Sequence, residues 1–129
     1  MAAVNSYRDL KVWNAGMDLA VAAYKLTKDF PREENYGLTS QIRRSAASVP
    51  ANIAEGYGRE STGSYVQFLK TARGSLKELE THVLIAQRVG IPKETQAESI
   101  LVLADAIGRM LNALIKSIEK SPRTPSAKD

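Results

Sequence analysis

Seven apolar residues, Tyr65, Leu69, Ala72, Leu76, Leu79, Val83 and Ala86, succeed one another at spacings that alternate four and three without a fault. Only a helix gathers residues so spaced on one face, because about 3.6 residues complete a turn. The alternation is a heptad pattern, so this segment must lie against other helices along its length. Ser61 or Thr62 caps its start and Gly90 stops it after Val89. A second seam follows at Ala97, Ile100, Ala104, Ile107, Leu111, Leu114 and Ile118, with Pro92 near its first turn.

Two more segments precede these. The first is expected over Tyr7 to Phe30, opened by a capping box of Ser6 and Asp9 and closed by Phe30-Pro31. Its stripe reads Leu10, Trp13, Met17, Ala20, Tyr24 and Thr27. The second is expected over Leu38 to Tyr57, with the stripe Leu38, Ile42, Ala46, Val49, Ile53 and Tyr57. Pro50 interrupts it and costs about 3 kcal/mol in an exposed helix. The stripe stays in phase across Pro50, which favours one kinked helix over two short ones. Ser45 and Ser48 are placed to satisfy the freed backbone, and Gly56-Tyr57-Gly58 offers a glycine for a left-handed cap.

No segment alternates with the period of a strand, so the class is all-α. Four amphipathic helices with short links predict an antiparallel up-and-down four-helix bundle. The 129 residues suit a single core, with residues 1–6 as an N-terminal extension, 7–120 as the bundle domain and 121–129 as a flexible polar tail. Several apolar residues flank the seams: Val12, Leu19, Val21 and Leu26, then Phe68, Leu84 and Ile85, then Leu101, Leu103, Met110 and Ile115. They predict a second packing surface that a homo-oligomer would cover, with the margin of the core as the alternative.

Chemistry is sparse. There is no cysteine, which excludes thiolate metal sites and cysteine nucleophiles, and one histidine, which excludes a multi-histidine site. All-helical ribonucleases of the HEPN type carry an arginine a few residues before their histidine, and none stands that close ahead of His82. Gly56-x-Gly58-x-x-Ser61 follows no strand, so it lacks the setting of a dinucleotide fingerprint. The expectation is a protein that is no enzyme and takes no cofactor or metal. Absent cysteines, the lack of a secretory signal and the lack of a long apolar run suggest a cytoplasmic protein without membrane contact.

The second segment also carries a polar stripe, Arg44, Ser48, Asn52, Glu55 and Arg59, flanked by Gln41 and Arg43. Lys70, Arg73 and Lys77 share a face of the third. The candidate nucleic-acid-binding set is therefore Arg43, Arg44, Arg59, Lys70, Arg73 and Lys77, read as one basic strip. Gln41, Ser48, Asn52 and Glu55 form a candidate polar network or intersubunit contact. A solvated face is the plain alternative. Glu60, Glu78 and Glu80 dilute the field nearby.

Long runs of the chain match a known family. They are Asp9-Leu10-Lys11-Val12-Trp13, Tyr36-Gly37-Leu38-Thr39-Ser40-Gln41-Ile42-Arg43-Arg44-Ser45-Ala46, Ser48 to Gly56, Ala72 to Thr81, and Gly108-Arg109-Met110-Leu111-Asn112. Over about Tyr7 to Lys120 the chain resembles the four-helix-bundle proteins encoded in intervening sequences of bacterial 23S ribosomal RNA genes. The resemblance implies an antiparallel bundle and a ring-shaped homopentamer. It also implies similarity to the accessory variability determinant of diversity-generating retroelements, a basic pentameric barrel that binds nucleic acid and a reverse transcriptase. No catalytic residue carries over.

Two functions follow as expectations. One is a non-enzymatic module that binds structured RNA or DNA through basic residues on the second and third helices. The other is a protein-interaction scaffold or accessory subunit of a reverse transcriptase, with the polar stripe as an intersubunit network.

Overall fold

The computed structural model describes residues 4–121. The first three residues of the extension, and the tail from residue 122, lie outside the described residues. Four helices account for most of the chain: α1 Lys11–Thr27, α2 Leu38–Tyr57, α3 Thr62–Arg88 and α4 Glu94–Lys120. Single 3-10 turns stand at Tyr7–Asp9 and Arg32–Glu34. There is no strand among the described residues, so the all-α reading holds.

The seam of α3 is the spine of the core. Six of its seven residues are sealed completely, and Tyr65 is nearly so. At about 1.5–3 kcal/mol for each large apolar side chain, this one face supplies a large share of the hydrophobic stabilisation. Each helix packs on its two neighbours in the closed order α1, α2, α3, α4, α1, and the contact between α2 and α3 is the most extensive. Along that contact Arg44 reaches Glu78, Ser48 reaches Ser75, and Gly56 meets Tyr65 and Phe68. Residue numbers therefore fall along α3 as they rise along α2.

Two glycines permit close approach. A Cβ on Gly56 would come 2.7 Å from Phe68 Cβ and 3.1 Å from Tyr65 Cδ1. A Cβ on Gly16 of α1 would come 3.3 Å from Pro50 Cβ. Pro50 is buried inside an unbroken α2, so the expected single helix forms and the alternative of two short helices does not. The proline ring packs beside Gly16 of α1. The expected serine rescue does not occur as drawn: Ser45 Oγ donates to Gln41 O, and Ser48 Oγ pairs with Ser75 Oγ.

The helix ends correct several expectations. The Ser6–Asp9 capping box forms, but it caps the 3-10 turn, and Leu10 is extended before α1 begins. Asn14 Nδ2 donates to the carbonyls of Arg8 and Leu10 across that junction. Gly58 has right-handed dihedrals, so α2 has no left-handed glycine cap. Gly90 does supply one, at φ 76°. Gly90 N–H donates to Gln87 O and Ile91 N–H to Ala86 O, the paired bonds of a Schellman stop. Ser61 caps α3 by accepting from Ser64 N–H.

α1 departs most from expectation. Its buried face is Val12, Gly16, Leu19, Ala23, Leu26 and Thr27, whereas Met17 and Tyr24 of the expected stripe are exposed. Both sets obey helical spacing. The neighbours decided between them, because Gly16 admits Pro50 and a larger residue at that face would not. At the end of α4 the core likewise takes Ile115, leaving Leu114 and Ile118 half-buried. Of the apolar flanks, Val12, Leu19, Leu26 and Ile115 belong to the core, while Val21, Leu84, Ile85 and Met110 are exposed.

Gly56→Ala is expected to lower unfolding free energy by about 1–3 kcal/mol, since overpacking forces the α2–α3 approach apart. Gly74→Ala, whose Cβ would meet nothing within 4 Å, is expected to raise it by about 0.4–1 kcal/mol. Urea denaturation followed by circular dichroism checks both; similar effects at the two positions would contradict the close-approach account.

Candidate functional site

Successive residues on a helix point about 100° apart, and this splits the predicted basic strip at its first pair. Arg43 turns toward α1: its Nε donates to Thr27 Oγ1 at 2.8 Å, and its guanidinium sits 4.7 Å from the centre of the Tyr24 ring. Arg44 turns toward α3 and is engaged there. It donates to Gln41 Oε1 at 2.7 Å and pairs with Glu78. Glu78 also lies 3.7 Å from His82 Nε2, so one carboxylate serves two side chains of the α2–α3 surface.

The polar stripe below Arg44 is a bonded cluster within one chain. Ser48 Oγ and Ser75 Oγ are 2.8 Å apart, and Asn52 Nδ2 donates to Ser48 O and Ser48 Oγ at 2.8 and 2.9 Å. These half-buried bonds satisfy groups that would otherwise lose solvent on packing. Glu55 is exposed on the same helix and stands apart from those bonds. Arg59 follows α2, with its guanidinium 4.6 Å from the centre of the Phe68 ring. Lys70 is exposed on α3.

Arg73 and Lys77 face a different groove, between α3 and α4. Arg73 Nη1 donates to Asn112 Oδ1 at 2.9 Å, and Lys77 Nζ lies 3.1 Å from Glu80 Oε1 on its own helix. Arg109 pairs with Asp105 one turn before it on α4. Arg73, Lys77, Asp105, Gly108, Arg109 and Asn112 together line an open cavity of about 110 Å³. The structure thus brings Arg73 and Lys77 together, places Arg44 in the neighbouring groove, and sends Arg43 to the far side of α2. Arg109 and Asn112 stand outside the basic strip expected from the sequence. Their positions flank the seam residue Leu111, and that is the signal by which spacing alone could have found them.

Known proteins share this fold. The 23S rRNA-intervening sequence protein family matches the chain over residues 8–113. The chain belongs to this family. It also superposes on a crystal structure of a protein with unknown function, from the S23 ribosomal protein family, of Bacteroides thetaiotaomicron. The TM-score is 0.73 at 26% identity, covering 81% of this chain and 98% of that one. No curated protein matches the chain. Among the described residues no helix is long and apolar enough to cross a membrane.

The two kinds of α2–α3 polar contact should behave differently. Arg44 and Glu78 are exposed at 55% and 37%, so Glu78→Gln is expected to cost less than about 1 kcal/mol, and less still in high salt. Ser75→Ala is expected to cost about 0.5–1.5 kcal/mol regardless of salt. Urea midpoints at two salt concentrations separate them.

Proposed function

We propose that this family member is a non-enzymatic, homo-oligomeric four-helix-bundle protein that binds nucleic acid, in the form of structured RNA or DNA. One observation carries the reading. Arg73, Lys77 and Arg109 converge on one open groove in which Asp105 is the only carboxylate among the lining residues. Phosphate backbones are bound chiefly through such cations. Lys70 extends the same face of α3 by a turn. Arg43 and Arg44 are engaged within the chain and contribute secondarily.

The assembly belongs to the same proposal: antiparallel up-and-down bundles arranged as a ring-shaped homopentamer in the cytoplasm. The family resemblance supports it, as do the apolar residues left at the surface. A net charge of +4 per chain then becomes about +20 per particle, enough to draw nucleic acid by long-range attraction.

A second reading, an interaction scaffold or accessory subunit of a reverse transcriptase, is favoured by exposed Met17, Val21 and Tyr24 on α1 and by Leu84 and Ile85 near the end of α3. Fluorescence anisotropy with labelled RNA over a salt series tests the first reading. The double replacement of Arg73 and Lys77 by alanine is expected to weaken binding, with helicity unchanged. It is also expected to flatten the log–log salt slope by about 0.7–0.9 for each phosphate that the variant no longer neutralises. Unchanged affinity at low salt overturns the reading. Light scattering that reports a monomer overturns the ring.

A further inference from the structure

The cations of the α3–α4 groove differ in how their charge is met. Arg109 is answered by Asp105 and Lys77 by Glu80, both carboxylates. Arg73 is answered in the groove by Asn112, a neutral amide. A neutral acceptor orients a guanidinium without cancelling its charge. The bond uses one of the five N–H donors of Arg73 and the carbonyl side of Asn112, so the Asn112 amide keeps two donors of its own. A half-buried arginine held in this way has already lost much of the side-chain freedom that binding would otherwise cost.

The size of the groove narrows its ligand. About 110 Å³ is well below the ~300 Å³ at which small-molecule pockets begin, and it holds no more than a small group and a few waters. A groove this small and open to solvent suits a single tetrahedral oxyanion better than an enclosed small molecule. Gly108 on the lining brings α4 close to α3, since a Cβ there would meet Leu76 Cδ2 at 3.6 Å. With Lys77 answered by Glu80 and Arg109 by Asp105, the charge left over in the groove is that of Arg73.

We propose that the α3–α4 groove is a seat for one phosphate group, with Arg73 and Asn112 as its donors and Asp105 as a built-in competitor for Arg109. This deepens the nucleic-acid reading, and rests on it for the polymer backbone as the source of the phosphate. When phosphate enters, Arg109 exchanges the Asp105 carboxylate for a phosphate oxygen. Asp105 therefore sets affinity: it holds Arg109 in place when the groove is empty and repels the anion that replaces it.

The test uses the full chain with two probes, a labelled single-stranded RNA of mixed sequence followed by anisotropy, and inorganic phosphate followed by the NMR signals of the Asn112 side-chain amide. Asp105 and Asn112 are exposed, so substitutions there leave the bundle intact, as helicity will show. Asp105→Asn is expected to tighten RNA binding by about two- to fivefold, most at low salt. Asn112→Ala changes no charge, yet is expected to weaken binding by about two- to tenfold with an unaltered salt slope. RNA binding that is the same in wild type and Asn112→Ala overturns the seat and leaves the nucleic-acid reading standing. A wild type that ignores RNA while phosphate shifts the Asn112 amide overturns the nucleic-acid reading and keeps the seat for free phosphate. Response to neither probe overturns both.

Discussion

α2 is held between α1 and α3 by two contacts that only small or ring-closed residues allow. Pro50 lies against Gly16 on one side, and Gly56 lies against Tyr65 and Phe68 on the other. These approaches fix how far α2 stands from each neighbour and how it is rotated. The rotation points Ile42, Ala46, Val49 and Ile53 inward. It also sends Arg43 toward α1 and Arg44 toward α3, because neighbouring residues must diverge on a helix. The surface chemistry is in this sense a consequence of core packing.

That geometry divides the basic residues by how their charge is answered. On the α2–α3 surface a carboxylate meets Arg44, and hydroxyl and amide groups satisfy one another. Such bonds serve the helix pair and leave little charge for a ligand. On the α3–α4 surface Arg73 is oriented by a neutral amide, and its charge remains available. A guanidinium that is fixed in place yet not neutralised is suited to anions, since neither reorganisation nor a strong competing ion pair stands in the way. The proposed function follows from this contrast more than from the modest net charge.

Much of the fold is legible in the chain. The seam of α3 is recovered residue for residue, and that of α4 as far as Leu111, because a faultless alternation of three and four admits only one buried face. The Ser6–Asp9 box, the Ser61 cap and the Gly90 stop are local, so they too can be read. α1 is ambiguous because it is apolar on more than one side. Two stripes fit its periodicity equally well, and nothing in α1 itself says which meets the core. The site is legible only in its residue types. Spacing correctly places Lys70, Arg73 and Lys77 on one face of α3, but the partners of Arg73 and Arg44 lie 39 and 34 residues away in sequence.

By itself the sequence determined that the chain is helical, where its helices fall, which face of α3 is buried, and that it carries a set of basic residues on α2 and α3. These depend on spacing along one helix and on caps within a few residues. The tertiary structure alone decided which face of α1 is inward, which groove each arginine enters, and which charges are already answered. Those outcomes depend on distances between helices, set where Gly16 receives Pro50 and Gly56 receives Phe68, and no periodicity within a single segment encodes them.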